Sequence, residues 1–382
     1  MEGKINYMIK DKTNFIESVF LIIIVMICHT ILDLPNTIIT SVSSSAPLNV
    51  IYITILALIF FLIINKLFSP FETKDIIDIA EYVGGNILKK IISIVYTLHI
   101  IFISGIFILS FADTIKTIYL QDVPAWIICL VFILVAVIAN LYGFNNISRV
   151  NYILMPFILL SVLVIFLALA TDFVPQRIFP ILGYGADKTF LSGIGNIFAF
   201  GEIILLFLIK PQLKDPKSSK KIGITSILIS GLFLFLTVTT LLLLYPFSTG
   251  GKGVLSIYIM TRSIQFGKFF QRADALFILV WVLTFFSYLS VIINYVLRIT
   301  QKNTGSKKNA LYIYIIAIAI FIVTLIPKDI VQIRFAENVI YKYSTLIVVF
   351  VLSFVVILLG YLKKRKERGI VQISERNISN ES

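Results

Sequence analysis

The stretch "GIGNIFAFGEIILLFLIK", residues 193–210, decides how this chain is read. Most of it has the composition of a membrane helix. Yet it holds Gly193, Gly195 and Gly201, an amide at Asn196 and a full carboxylate at Glu202. A charged side chain at the centre of a bilayer helix costs roughly 2.5–3.5 kcal/mol on insertion scales. A glycine in a helix interior costs about 1 kcal/mol relative to alanine. Broken backbone is tolerated at membrane depth only where it is buried in protein or lines a cavity. The stretch therefore predicts a helix that comes apart at its glycines and turns Glu202 towards a polar cavity.

The rest of the chain supports a membrane setting. Of its 382 residues 58% are hydrophobic and only 14% charged, where a soluble domain averages about 25% charged. Mean hydropathy is +0.98. Runs of about 20 apolar residues suffice to span a bilayer. Ten such runs are read at 16–38, 47–67, 91–112, 123–142, 152–170, 190–209, 222–246, 273–298, 310–326 and 342–362. The first apolar run lacks a cleavage site and is expected to be a retained helix. The net charge of +13 invites a nucleic-acid reading, but its placement argues against one. With the N-terminus inside, 23 of the 33 Lys and Arg fall in the inside segments, as the positive-inside rule requires. Both termini are thus expected to be cytoplasmic, with the charge facing anionic headgroups of the lipid bilayer. Residues 1–15 are expected to be a cytoplasmic N-terminus and 363–382 a basic cytoplasmic tail. Cys28 and Cys129 both sit in apolar runs, so neither a disulfide framework nor a metal site is expected, and no cofactor is called for.

The spans show an internal order. Residues 71–90, "FETKDIIDIAEYVGGNILKK", place Ile76, Ile79, Val83 and Ile87 at helical spacing between charges, as an interfacial amphipathic helix would. Residues 252–270 read the same way. The chain then divides into two five-span halves, 16–170 and 190–362. Each has an irregular first span, a second span, an interfacial helix and three more spans. Five is odd, so the halves point in opposite directions, the layout of an inverted-repeat transporter. The expected fold is all-α, with ten transmembrane helices in a single domain and helices one and six broken. In span one the break is signalled by "CHTILDLPN", 28–36, where Pro35 removes a backbone donor and disfavours helix at Leu34. Free N–H and C=O groups at such breaks can meet a carboxylate and an ammonium or cation.

Several stretches carry a family resemblance: "FAFGEIILLFLIKPQLKDPK" (198–217), "RADALFILVWVL" (272–283), "SRVNYILMPFILL" (148–160) and "ADTIKTIYLQDVPAWII" (112–128). Over about 15–362 the chain resembles the spore germination permease family. Its members are the B subunits of nutrient germinant receptors, within the amino acid–polyamine–organocation superfamily. The resemblance implies a LeuT-like bundle, a small germinant (typically an amino acid) as ligand, and partner A and C subunits in the spore inner membrane. Relatives usually carry Leu-Pro-Arg in span one. Here Asp33 precedes Leu34-Pro35, and Asn36 stands where the basic residue is usual.

The candidate ligand site comprises the residues at the two breaks, Cys28, His29, Thr30 and Ile31 in span one and Ala199, Phe200, Gly201 and Glu202 in span six. His99 of span three and Ser287 and Tyr288 of span eight join it on the family's fold, and Asn294 lies deeper in span eight. Glu202 would bind a ligand ammonium, take up a proton or replace a coupling cation; otherwise it ties helix six to a neighbour. Asp33 would titrate with His29 four residues away, or simply cap a helix. His99 would otherwise be a lone histidine bonded to a carbonyl, and Phe200 one of 32 Phe in packing. Arg272 and Asp274, at the start of span eight, read as a structural pair, and Pro156 as a kink in span five.

Three functions compete: a receptor or a proton- or cation-coupled transporter with a midplane amino acid site, a membrane enzyme, and a non-transporting scaffold for partner subunits. With His29 and His99 in different spans and no catalytic motif or metal-ligand cluster, the enzyme reading is set aside. The sequence alone favours a transporter, and the family resemblance favours a receptor.

Overall fold

A computed structural model describes residues 12–246, 273–306 and 308–381, and the side chains of all of these except 273–277 and 369–381. It is all-helical apart from an isolated backbone bridge between Thr13 and Leu213. Seven helical segments among the described residues are long and apolar enough to cross a membrane. Shorter apolar helices at Phe15–Ile31, Ala125–Leu141 and Asn309–Thr324 complete the set. The ten spans are Phe15–Ile31 continued by Leu34–Val42, then Ala46–Phe68, Ile76–Ile118, Ala125–Leu141, Phe144–Leu169, Asp187–Gln212, Ser219–Leu244, Ala273–Thr304, Asn309–Thr324 and Ile330–Arg368. The last helix continues along the basic tail to Glu381.

Apolar periodicity selects the buried faces. In span two Val50, Ile53, Ala57, Phe61, Ile64 and Phe68 are at most 3% exposed, while Ile51, Ile55, Ile59 and Ile63 are 45–50% exposed. Their three- and four-residue spacing puts the first set on one helix face. An exposed apolar face of this kind is what a lipid-facing surface requires. Spans one, two, three and four each pack against the span five places later. Such counterpart packing is what an inverted repeat wound about one axis produces.

Both expected breaks are present, in different forms. Span one stops at Ile31, turns through Leu32 (ψ −119°) and Asp33, and resumes as a helix at Leu34 with Pro35 in its first turn. A proline is tolerated there because the first turn has no N–H acceptor to lose. Span six is not unwound into a loop. It is π-helical at 187–192, 3-10 helical at 193–203 with a kink at Phe200, and α-helical at 204–209.

Three boundaries differ from the sequence reading. The helix after Asp75 runs only to Val83 before Gly84 and Gly85, the latter at φ +66°, reset its direction. Ile87 therefore belongs to the membrane-crossing part and is 76% exposed. Span five begins at Phe144 rather than 152, directly after Gly143 at φ +92°. Span ten begins at Ile330 rather than 342, with π-helical stretches at 336–341 and 346–352. The expected helix at 252–270 and Arg272 lie outside the described residues. Asp274 falls in the first turn of the span-eight helix. Pro156 sits inside span five, whose helix continues through it.

One face of the bundle gathers the basic loops and the tail. Lys302 at the end of span eight reaches Asp75 (2.5 Å) and Asp78 (2.7 Å) on the short helix. Lys363 donates to the carbonyl of Tyr82, whose hydroxyl donates to Glu367. Lys364 donates to the carbonyl of Pro70.

Candidate functional site: a carboxylate between the broken helices

The centre of the bundle is built around one tyrosine. The Tyr341 hydroxyl donates to Glu202 Oε1 at 2.6 Å and lies 3.1 Å from His29 Nδ1. A hydroxyl has one hydrogen to give. With Glu202 accepting it, His29 carries its proton on Nδ1 and donates to the tyrosine oxygen. Broken span one, broken span six and the first π-helical stretch of span ten are thus joined by one hydrogen-bond chain. All three side chains are buried.

Aromatic rings hold this chain in place. His29 stacks on Phe107 of span three (ring centroids 4.6 Å, 26°) and meets Tyr341 edge-on at 4.6 Å. Phe198 of span six packs against both, at 5.8 and 5.4 Å. Phe107 also reaches Tyr288 of span eight at 6.0 Å. Gly201 lets span six approach span ten: a Cβ there would lie 2.2 Å from Thr345 Cγ2.

Glu202 Oε2 has no hydrogen-bond partner. The residue lines a cavity shared by spans three, six, eight and ten, with His99, Gly201, Tyr288, Tyr341 and Thr345 among its walls. His99 Nδ1 is likewise buried without a partner. The volume of this cavity is about 30 Å³, room for one or two waters and not for an amino acid.

On the far side of His29 lies a second, smaller cavity of about 10 Å³, lined by His29, Leu32, Asp33, Thr37, Phe198 and Glu337 among others. That is at the limit for a single water. Asp33, on its wall, is ion-paired with Arg334 of span ten. Asn36 donates to Asp33 Oδ1 at 2.9 Å, and Thr37 donates to Asn338 Oδ1 at 2.6 Å. Glu337 is 5% exposed, with Arg334 4.0 Å away.

The residues singled out from sequence distribute as follows. His29, His99, Gly201, Glu202 and Tyr288 surround the chain and its cavity, and Asp33 belongs to the smaller cavity beyond it. Cys28, Thr30, Ile31, Ala199 and Phe200 are buried in the packing of spans one and six, outside the walls of the Glu202 cavity. Ser287, next to Tyr288, faces the other way, into a separate cavity between spans four, five and eight. Asn294 accepts from Arg298 at 2.7 Å and donates to Asn140 at 3.3 Å. The sequence reading missed Tyr341, Phe107, Phe198, Arg334 and Glu337. Arg334 and Glu337 carried a signal, an i,i+3 pair of opposite charge beside an apolar run. Their charges instead shortened the apparent span. The described residues hold no group of metal-ligating side chains.

A solved structure shares the fold. A Na⁺-coupled sialic acid symporter in its substrate-bound outward-open state matches with a TM-score of 0.65. The match covers 89% of this chain and 80% of that one, at 14% identity. At that identity the likeness concerns the fold alone: the LeuT-like, ten-helix inverted repeat. Spore germination protein B2 of Bacillus subtilis (strain 168) is 22% identical over 380 residues, 95% of this chain and 99% of that protein. Spore germination protein A2 of the same organism is 22% identical over 362 residues, 93% and 97%. Spore germination protein KB, also from that organism, is 23% identical over 203 residues, where the match spans about half of either chain, 52% and 54%. The family model described as "Spore germination protein" matches residues 12–333. These matches and the ten-span fold agree: the chain is a multi-pass integral membrane protein that belongs to the spore germination protein family, a family of membrane proteins rather than of enzymes.

Proposed function

We propose that this chain is the membrane subunit of a nutrient germinant receptor and that it binds a small germinant, an amino acid by preference, at Glu202. The observation that carries the reading is the half-satisfied carboxylate. One oxygen is held by Tyr341 and the other faces no partner, at a cavity between the broken helices. A buried carboxylate with a free oxygen favours an ammonium group brought by a ligand. Ligand entry then requires the bundle to open, because the cavity holds only a water or two. A ligand that prefers the opened and reclosed state shifts that equilibrium by its differential affinity. That shift is the signal passed to partner A and C subunits in the spore inner membrane. The basic face, with both termini, is the cytoplasmic side under this reading.

The hydrogen-bond chain favours a second reading, a proton-coupled amino acid transporter. His29 and Tyr341 connect Glu202 with the small cavity that also holds Asp33 and Glu337. A carboxylate reached by such a chain can exchange a proton for a ligand cation.

The test is thermal unfolding of the purified protein with a panel of amino acids, wild type beside Glu202→Gln. A ligand that binds only the folded state stabilises it by about 2.7 kcal/mol at a hundredfold excess over its dissociation constant. A shift in wild type that the variant loses is expected. Equal shifts in both proteins would reduce Glu202 to a structural role. In spores, the variant should lose the nutrient response at near-normal membrane abundance. Uptake of the same amino acid into liposomes, driven by a pH gradient, would favour the transporter.

A further inference from the structure

A cavity larger than the central one lies on another side of span eight. It sits between spans four, five and eight and has a volume of about 350 Å³, within the usual range of small-ligand sites, about 300–1,000 Å³. Its rim includes Val135, Val150 and Tyr142, which are 39%, 52% and 72% exposed. The mouth therefore opens sideways, through apolar residues on the outside of the bundle, at the turn joining spans four and five. None of the described lining residues is charged.

At the wall stands Asn151, 1% exposed, with neither its amide nitrogen nor its carbonyl oxygen partnered. Leaving a buried polar group unsatisfied costs about 1–3 kcal/mol. Nearby, Ser290 donates its hydroxyl hydrogen to the carbonyl of Phe286 at 2.7 Å, and its backbone carbonyl accepts from Asn140 at 3.0 Å. The oxygen of Ser290 keeps lone pairs for another donor. The remaining walls are mostly apolar, and apolar cavities do not fill with water readily. An occupant that suits both parts has an apolar body and one head group able to donate and to accept.

We propose that this crevice is a second binding site, for an uncharged single-chain amphiphile that enters from the bilayer. Its hydroxyl or primary amide head pairs with the Asn151 amide, and its chain lies along Val135, Leu154 and Leu283. The absence of charge among the described lining residues disfavours ammonium, carboxylate and phosphate heads. The site shares one turn of span eight with the central cavity: Ser287 and Ser290 face the crevice, while Tyr288 faces Glu202.

The test is photolabelling of the full chain in liposomes with a diazirine analogue of octan-1-ol, followed by peptide mapping. Adducts are expected within 135–154 and 283–290, displaced by excess octan-1-ol but much less by octane. Asn151→Leu should lower the displaceable labelling about two- to tenfold, the loss of one or two hydrogen bonds. It should leave the melting temperature equal or higher, because an unpaired polar group is removed. Ala139→Phe, which fills the crevice from span four, should abolish the displaceable fraction and serves if Asn151→Leu does not fold. Adducts spread over lipid-facing residues with no displaceable part would overturn the proposal. So would equal displacement by octane, or labelling indifferent to both substitutions.

Discussion

The Tyr341 hydroxyl stands 2.6 Å from Glu202 Oε1 and 3.1 Å from His29 Nδ1, so one side chain of span ten bridges both broken helices. Removing that single oxygen leaves the ring contacts with His29, Phe107 and Phe198 in place. Tyr341→Phe should therefore destabilise by about 1–3 kcal/mol, the cost of leaving buried groups unpaired. Unfolding of the single and double variants with Glu202→Gln checks it. The two changes should be non-additive, since they share one interaction. Additive effects would mean that the hydrogen bond contributes little.

Gly201 is set by contact rather than by backbone freedom. A methyl there would collide with Thr345 Cγ2 at 2.2 Å. Gly201→Ala should cost about 1–3 kcal/mol through overpacking. Thr345→Ser removes that methyl, and the double variant should recover most of the loss. A melting temperature for Gly201→Ala equal to wild type would show that spans six and ten do not approach this closely.

Arg334 faces two carboxylates, Asp33 and the buried Glu337. Arg334→Gln leaves both without their cation and should loosen that end of the bundle. The chain carries its own reporter in Cys28, adjacent to His29 and fully buried as a free thiol. A small thiol reagent should modify Cys28 several-fold faster in the variant, on the order of the tenfold that 1.4 kcal/mol of opening gives. Cys129, between spans three and four, should stay unchanged. Equal rates at Cys28 would separate the ion pair from closure.

At the basic face, Lys302 lies between Asp75 and Asp78, and Asp75 is only 4% exposed. Lys302→Met would leave two adjacent carboxylates, one of them buried. Breaking a fully buried pair costs about 3–5 kcal/mol; the part-exposed side chains here reduce that to roughly 2–3 kcal/mol. Asp75→Asn in the same background should restore part of the stability. A neutral Lys302→Met in thermal unfolding would mean that the short helix does not depend on this ion pair.

What the sequence by itself determined is the architecture and one member of the site. Ten apolar runs, two irregular first spans and an odd number of spans per half suffice for the inverted repeat, because apolar length and helix-breaking residues act locally. Pro35 and the glycines of 193–201 placed the breaks near Leu32 and Phe200 for the same reason. Glu202 was legible because a lone carboxylate in a lipid-length run has to face something other than lipid.

The partners of Glu202 were decided only by the tertiary structure. Span ten was read from 342, yet its helix begins at Ile330, and Arg334 in that added stretch meets Asp33 across the bundle. A charge in a span is costly until its counter-charge is known, and that counter-charge lies some 300 residues away in the chain. Adjacent Ser287 and Tyr288 show the same limit. Both are polar and both sit in one helix turn, but the rotation of span eight in the packed bundle sends one to the lateral crevice and the other to the central cavity. Helix rotation is fixed by the neighbours against which the helix packs, and no local pattern records it.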